Sequence, residues 1–318
     1  MLKTIAHVAA SLTLANMSLA FAAAAQAQIP TPPAQSEPVA VADLSGPYPV
    51  VMEMDPTLPD HTLFRPADPA SVGRTLPVVA YGAGACLNVG NMTPQFLGEL
   101  ASYGYLVVAG GPIIEGADRP RAPGAPAGPD YSQNRTAQLL ETIDWAIAQN
   151  DVTGGRFEGR LATDKIAVMG HSCGGLQAIA AADDPRVVTA IIGNSGIIRT
   201  LPSDGSRTGR SYRPAGVDDL KRLHAPMLYI SGGPTDQAQP NATLDVEAIQ
   251  SVPVFYGDIA TGHGGTYLEP RGGEYAVVIR DWLNWQLLND TQAGRTFTGA
   301  DCRLCVDPRW SVERKGIE

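Results

Sequence analysis

The sequence predicts an α/β protein: a mostly parallel, doubly wound sheet with helices on both faces and no large lid domain. Three observations carry this. Short runs rich in Val, Ile, Leu and Met recur along the chain with little charge. Turn residues bound them, as expected of strands buried on both faces. Helix-period patterns lie between the later runs, and strand–helix alternation is the signature of a layered α/β sheet.

The strand candidates are Val50–Met54, Thr62–Phe64, Pro77–Tyr81, Tyr105–Ala109, Ile166–Met169, Val187–Ile192, Met227–Ile230 and Val254–Tyr256. Helices are expected over Pro94–Tyr103, Gln133–Gln149, Gly174–Ala182, Leu244–Ile249 and Glu274–Leu288. The second repeats Leu139, Leu140, Ile143, Ala146 and Ile147 at helical spacing. Residues 111–130, dense in Pro and Gly, and 197–216, with Arg199, Arg207, Arg210 and Arg213, read as loops. Neither is apolar enough for a helical lid, so an open site is expected.

At the N-terminus, Lys3, an apolar Ala/Leu-rich run and Ala25-Gln26-Ala27 form the pattern of a secretory signal peptide. Its cleavage places the mature start near Gln28 and the protein outside the cell or in the periplasm. Residues 28–45 are rich in Pro, Ala and Gln and read as a flexible leader. Residues 46–318 then form one domain. No later run is apolar and long enough to span a membrane. The formal charge is −9, which disfavours nucleic acid as a partner because phosphate binding needs a basic footprint.

Gly170-His171-Ser172-Cys173-Gly174 matches G-x-S-x-G between a strand and a helix. This is the context of a nucleophile elbow. Glycines are needed there because the turn is sharp and flanking side chains would strike strand and helix. Ser172 is the expected nucleophile. His171 occupies the variable position and is read as pointing away from the base. A nucleophilic Ser needs a base, and the base an orienting carboxylate, in chain order Ser, acid, His. His224 and His263 follow Ser172. His224 precedes a strand and would enter the sheet at the wrong end, whereas His263 follows the last strand candidate. Asp236 is the first carboxylate after Met227–Ile230, with Asp245, Glu247 and Asp258 as rivals. Backbone N–H groups of Cys173 and Ala83, or of Gly84 or Ala85 in its place, are expected to form an oxyanion hole.

Four cysteines are present: Cys86, Cys173, Cys302 and Cys305. The single C-x-x-C, set in an irregular tail, lacks the second pair a structural zinc site uses and reads as a local staple. Cys86 and Cys173 adjoin the two oxyanion segments, which must converge. They are either bonded to each other or two buried thiols.

Gly82 to Cys86, Gly170 to Gly175, Gly232-Gly233-Pro234-Thr235-Asp236 and Gly262-His263-Gly264-Gly265-Thr266-Tyr267 resemble secreted α/β-hydrolases near the dienelactone-hydrolase and polyester-hydrolase (cutinase-like) branch. The resemblance spans roughly residues 60–310. It implies an α/β-hydrolase fold and hydrolysis of carboxylic esters, small or polymeric, with no cofactor and no metal. Dienelactone hydrolases carry Cys at the elbow where this chain carries Ser172. A peptidase using the same three residues, and a silent binding protein on the same scaffold, are the alternative readings.

Overall fold

The computed structural model describes residues 37–116, 136–199 and 215–318. The expected signal peptide, residues 28–36 of the leader, residues 117–130 and 200–214 of the two loops, and the first three residues of the second predicted helix lie outside the described residues.

Among the described residues ten strands form one sheet: β1 Val39–Val41, β2 Val50–Asp55, β3 Leu58–Pro66, β4 Leu76–Gly82, β5 Leu106–Gly110, β6 Leu161–His171, β7 Val187–Gly193, β8 Met227–Ser231, β9 Val254–Ile259 and β10 Trp310–Lys315. Their order is β1-β2-β3-β5-β4-β6-β7-β8-β9-β10. The strands β5, β4, β6, β7, β8 and β9 run parallel. Antiparallel strands extend the sheet at both sides. All eight predicted strands are present. The helices are α1 Pro94–Ala101, α2 Ala137–Asn150, α3 Cys173–Ala181, α4 Gln239–Ala248, α5 Gly273–Leu288, α6 Thr291–Gly294 and α7 Arg303–Val306.

Side chains alternate across β4, and the alternation divides the core. Val78 and Ala80 pack with Ile143 of α2, Ile179 of α3 and Val246 of α4. Val79 and Tyr81 pack with Phe96 of α1 and with Ile279 and Trp282 of α5. Helices therefore cover both faces, because each central strand is apolar on both. Among the described residues no helix is long and apolar enough to cross a membrane.

Two expectations need correction. The leader does not run to residue 45. Val39–Val41 pairs with β2, and Ser45 donates its backbone N–H (2.9 Å) and its hydroxyl to the Glu99 carboxylate in α1. The tail is not irregular either. Cys302 caps α7, accepting from the Cys305 N–H at 3.1 Å, and β10 pairs along all its residues with β9.

Because six strands run parallel, their C-terminal ends line one edge of the sheet. Ala83 follows β4, Ser172 follows β6, Asn194 follows β7, and the segments bearing Asp236 and His263 follow β8 and β9. Ligand sites in open α/β sheets lie at such an edge.

Candidate active site

Ser172 stands between β6 and α3 with φ 52° and ψ −116°. A side-chain-bearing residue in this region is strained, and the strain must be held by its surroundings. The surroundings are glycine. A Cβ on Gly170 would lie 2.1 Å from the Gly174 carbonyl, one on Gly174 would lie 1.9 Å from the Gly82 carbonyl oxygen, and one on Gly175 would lie 2.4 Å from the Ser195 Cβ. The strand, the helix and the end of β4 thus meet backbone to backbone, as the elbow requires. Ser172 N donates to the Gly193 carbonyl at 2.9 Å, and the Ser195 hydroxyl donates to the Ser172 carbonyl at 2.6 Å.

The three residues expected to act together do meet. Ser172 Oγ lies 2.9 Å from His263 Nε2, and His263 Nδ1 lies 2.7 Å from Asp236 Oδ1. Asp236 is buried. Its carboxylate also accepts from Gly232 N at 3.0 Å, Ala238 N at 2.9 Å and Asn194 Nδ2 at 2.9 Å. Burial alone pushes the Asp236 carboxyl up, but the hydrogen bonds outweigh it and hold the pKa below its ordinary value. Asp236 is therefore an anion aimed at the imidazole, and it fixes the tautomer that leaves Nε2 free to accept from Ser172.

The rivals lie elsewhere. His224 Nε2 donates to the Val187 carbonyl at 3.1 Å, at the opposite end of β7. Asp258 accepts from Gly233 N at 2.7 Å, and Glu247 is exposed. Asp245 is buried against Ile197 N (2.8 Å) and the Arg199 guanidinium (3.0 Å). Burial pushes its pKa from 3.8 up to about 6, against the pull of these partners. Between those values the folded chain holds a proton that the unfolded chain releases. The Asp245 contribution to stability is therefore complete below the ordinary pKa and lost as pH rises through about 6. Asp245→Asn removes this offset, so its Tm should fall more steeply than that of the wild type between pH 6 and pH 4. Calorimetry at these pH values reads the slopes, and parallel slopes would contradict the assignment.

The expected oxyanion segments also converge. Gly82 of β4 is level with Gly170 of β6 in the ladder. Ala83 is buried and leads into a 3-10 turn, Gly84–Cys86, in which Ala85 and Cys86 both have left-handed φ, 58° and 56°. Cys86 is bonded to Cys173, with Cα atoms 5.1 Å apart. Cys302 and Cys305 form the second bond. The first closes a loop across a separation of 87 residues and the second across 3. Loop-closure entropy gives the first ~4–5 kcal/mol and the second ~1–2 kcal/mol. Cys86→Ala should therefore lower Tm several times more than Cys305→Ala in the same melt, and equal losses would count against this account.

Two further residues at the site carried no clear signal in the sequence. His171 does not point away from the base. It donates from Nε2 to the His263 carbonyl at 3.0 Å, and its ring centroid is 5.6 Å from that of His263 and 4.6 Å from that of Tyr267. Burial pushes its pKa down to about 4, so it is neutral at ordinary pH. Asn194, fully buried just past β7 with φ 45°, donates from Nδ2 to Asp236 and to the Gly262 carbonyl at 3.1 Å. A polar residue directly after an apolar strand was the only hint of it. No protein-family model matches this chain, and no curated protein matches it.

Proposed function

We propose that this protein is an exported serine hydrolase of the α/β-hydrolase fold that cleaves carboxylic esters through an acyl-enzyme. The observation that carries the reading is the unbroken series Asp236–His263–Ser172, with contacts of 2.7 and 2.9 Å, ending on a strained turn at the C-terminal edge of the parallel strands. Ser172 Oγ attacks the acyl carbon while His263 Nε2 takes its proton. Asp236 stabilises the imidazolium that results. Negative charge that develops on the carbonyl oxygen is met by the N–H groups of Ala83 and Cys173, the latter at the N-terminus of α3. His263 then protonates the departing alcohol, and a water activated by the same imidazole releases the acid.

The experiment is a screen of p-nitrophenyl and aromatic esters on the purified mature protein, alongside labelling with a fluorophosphonate. Ester turnover together with a phosphonylated Ser172 peptide supports the reading. Absence of both from a folded sample overturns it.

A further inference from the structure

The segment after β7 contributes none of the three reacting side chains, yet it touches all three turns that bear them. The Gly193 carbonyl accepts from Ser172 N at 2.9 Å. The Ser195 hydroxyl donates to the Ser172 carbonyl at 2.6 Å. The Asn194 amide donates to Asp236 Oδ2 at 2.9 Å and to the carbonyl of Gly262, the residue before His263, at 3.1 Å. Asn194 N donates to the Ile230 carbonyl at 2.7 Å, tying the segment to the end of β8.

Asn194 occupies this place at a cost. Its φ of 45° lies in the left-handed region, which Asn tolerates better than most residues but which remains unfavourable. The amide orientation is forced, since reversing it would set an oxygen against the Asp236 carboxylate and the Gly262 carbonyl. In that orientation Oδ1 is buried with no protein donor among the described residues. An unsatisfied buried acceptor and a strained backbone at one residue both oppose stability. What the arrangement gains is a donor on the anion and a tether on the base loop.

We infer that Asn194 is a positioning residue of the Ser172–His263–Asp236 site, holding the acid charged and the base loop in register, with Ser195 holding the nucleophile's backbone. This rests on the esterase reading above. Without the Asn194 amide, the Asp236 charge has one donor fewer to disperse it. The carboxylate then becomes more basic and pairs more strongly with the imidazolium that forms during turnover, and the acid limb of the pH–rate profile reads that change.

The test compares Asn194→Ala, Ser195→Ala and Ser172→Ala with the wild type, using the best p-nitrophenyl ester and counting sites by fluorophosphonate titration. Asn194→Ala should lower kcat about 10- to 100-fold with KM nearly unchanged. It should also move the acid limb of kcat/KM up by about half a pH unit or more. Ser195→Ala should lower kcat by a smaller factor and leave the acid limb in place, because it touches Ser172 and not Asp236. This second variant also carries the test if Asn194→Ala does not fold: a shifted acid limb in Ser195→Ala, or a kcat equal to wild type, then overturns the assignment. A folded Asn194→Ala with wild-type kcat and acid limb overturns it directly. Ester turnover that survives in Ser172→Ala would instead remove the esterase reading itself, whatever Asn194 does.

Discussion

Ser172→Ala and His263→Ala are each expected to lower kcat for ester hydrolysis by about a million-fold, and Asp236→Asn by roughly ten-thousand-fold. The difference follows from the roles. Without Oγ or Nε2 no acyl-enzyme forms by this route. Without the Asp236 charge the imidazole keeps its place but loses its preferred tautomer and the stabilisation of its cationic form. The three groups act as one unit, so the double variant Ser172→Ala/His263→Ala should be hardly worse than either single one. Stability should change little for Ser172→Ala, since Ala inherits the same φ of 52°. Steady-state kinetics on folded, monodisperse variants read these losses. A Ser172→Ala protein with ordinary turnover would exclude the assignment.

Gly174→Ala should have the largest effect on the fold. Its methyl group would sit 1.9 Å from the Gly82 carbonyl oxygen and 2.2 Å from the carbonyl carbon. Neither side can retreat freely. Gly82 is held in the β4–β6 ladder opposite Gly170, and Gly174 lies in the first turn of α3, beside Cys173 and its disulfide to Cys86. Backbone overpacking at this separation costs more than about 4 kcal/mol. Any relief comes from moving the N-terminus of α3 away from β4, which separates the two segments proposed to form the oxyanion hole. Loss of Tm and loss of kcat should therefore appear together. Gly264→Ala is the matched control. Nothing lies within 4 Å of a Cβ there, so its stability should stay within about 0.5 kcal/mol of wild type. A Gly174→Ala protein that melts like Gly264→Ala would contradict this packing.

What could be read from the sequence depended on whether a feature was local. The central strands were legible because burial on both faces leaves uninterrupted apolar runs such as Val187–Ile192. Strand β10 was not, because an edge strand keeps polar residues on its open side, and Glu313, Arg314 and Lys315 hide its pairing with β9. The strand β1 is too short and too close to the Pro-rich leader to stand out. The elbow was legible because three glycines within six residues answer to steric demands of one turn. Asp236 and His263 followed from chain order. The Asn194 contacts were not legible, since they join it to turns 42 and 68 residues further along the chain that meet it only in space. His171 was misread for a related reason: the carbonyl it serves is 92 residues away. The sequence leaves Cys86 and Cys173 open between a bond and two free thiols, because the fold alone sets the separation of their Cα atoms.

That long-range bond has a practical consequence. It turns residues 86–173 into a covalent ring that contains α1, β5, α2 and β6. A protease that cuts once anywhere between Cys86 and Cys173 opens the ring without freeing either piece. The clipped protein keeps its full mass on a gel run without reductant and falls into two fragments only when thiol is added. A cut between Cys173 and Cys302 lies outside both rings and releases its fragments under either condition. Paired gels of a limited digest therefore tell a nick inside a disulfide ring from one outside both rings.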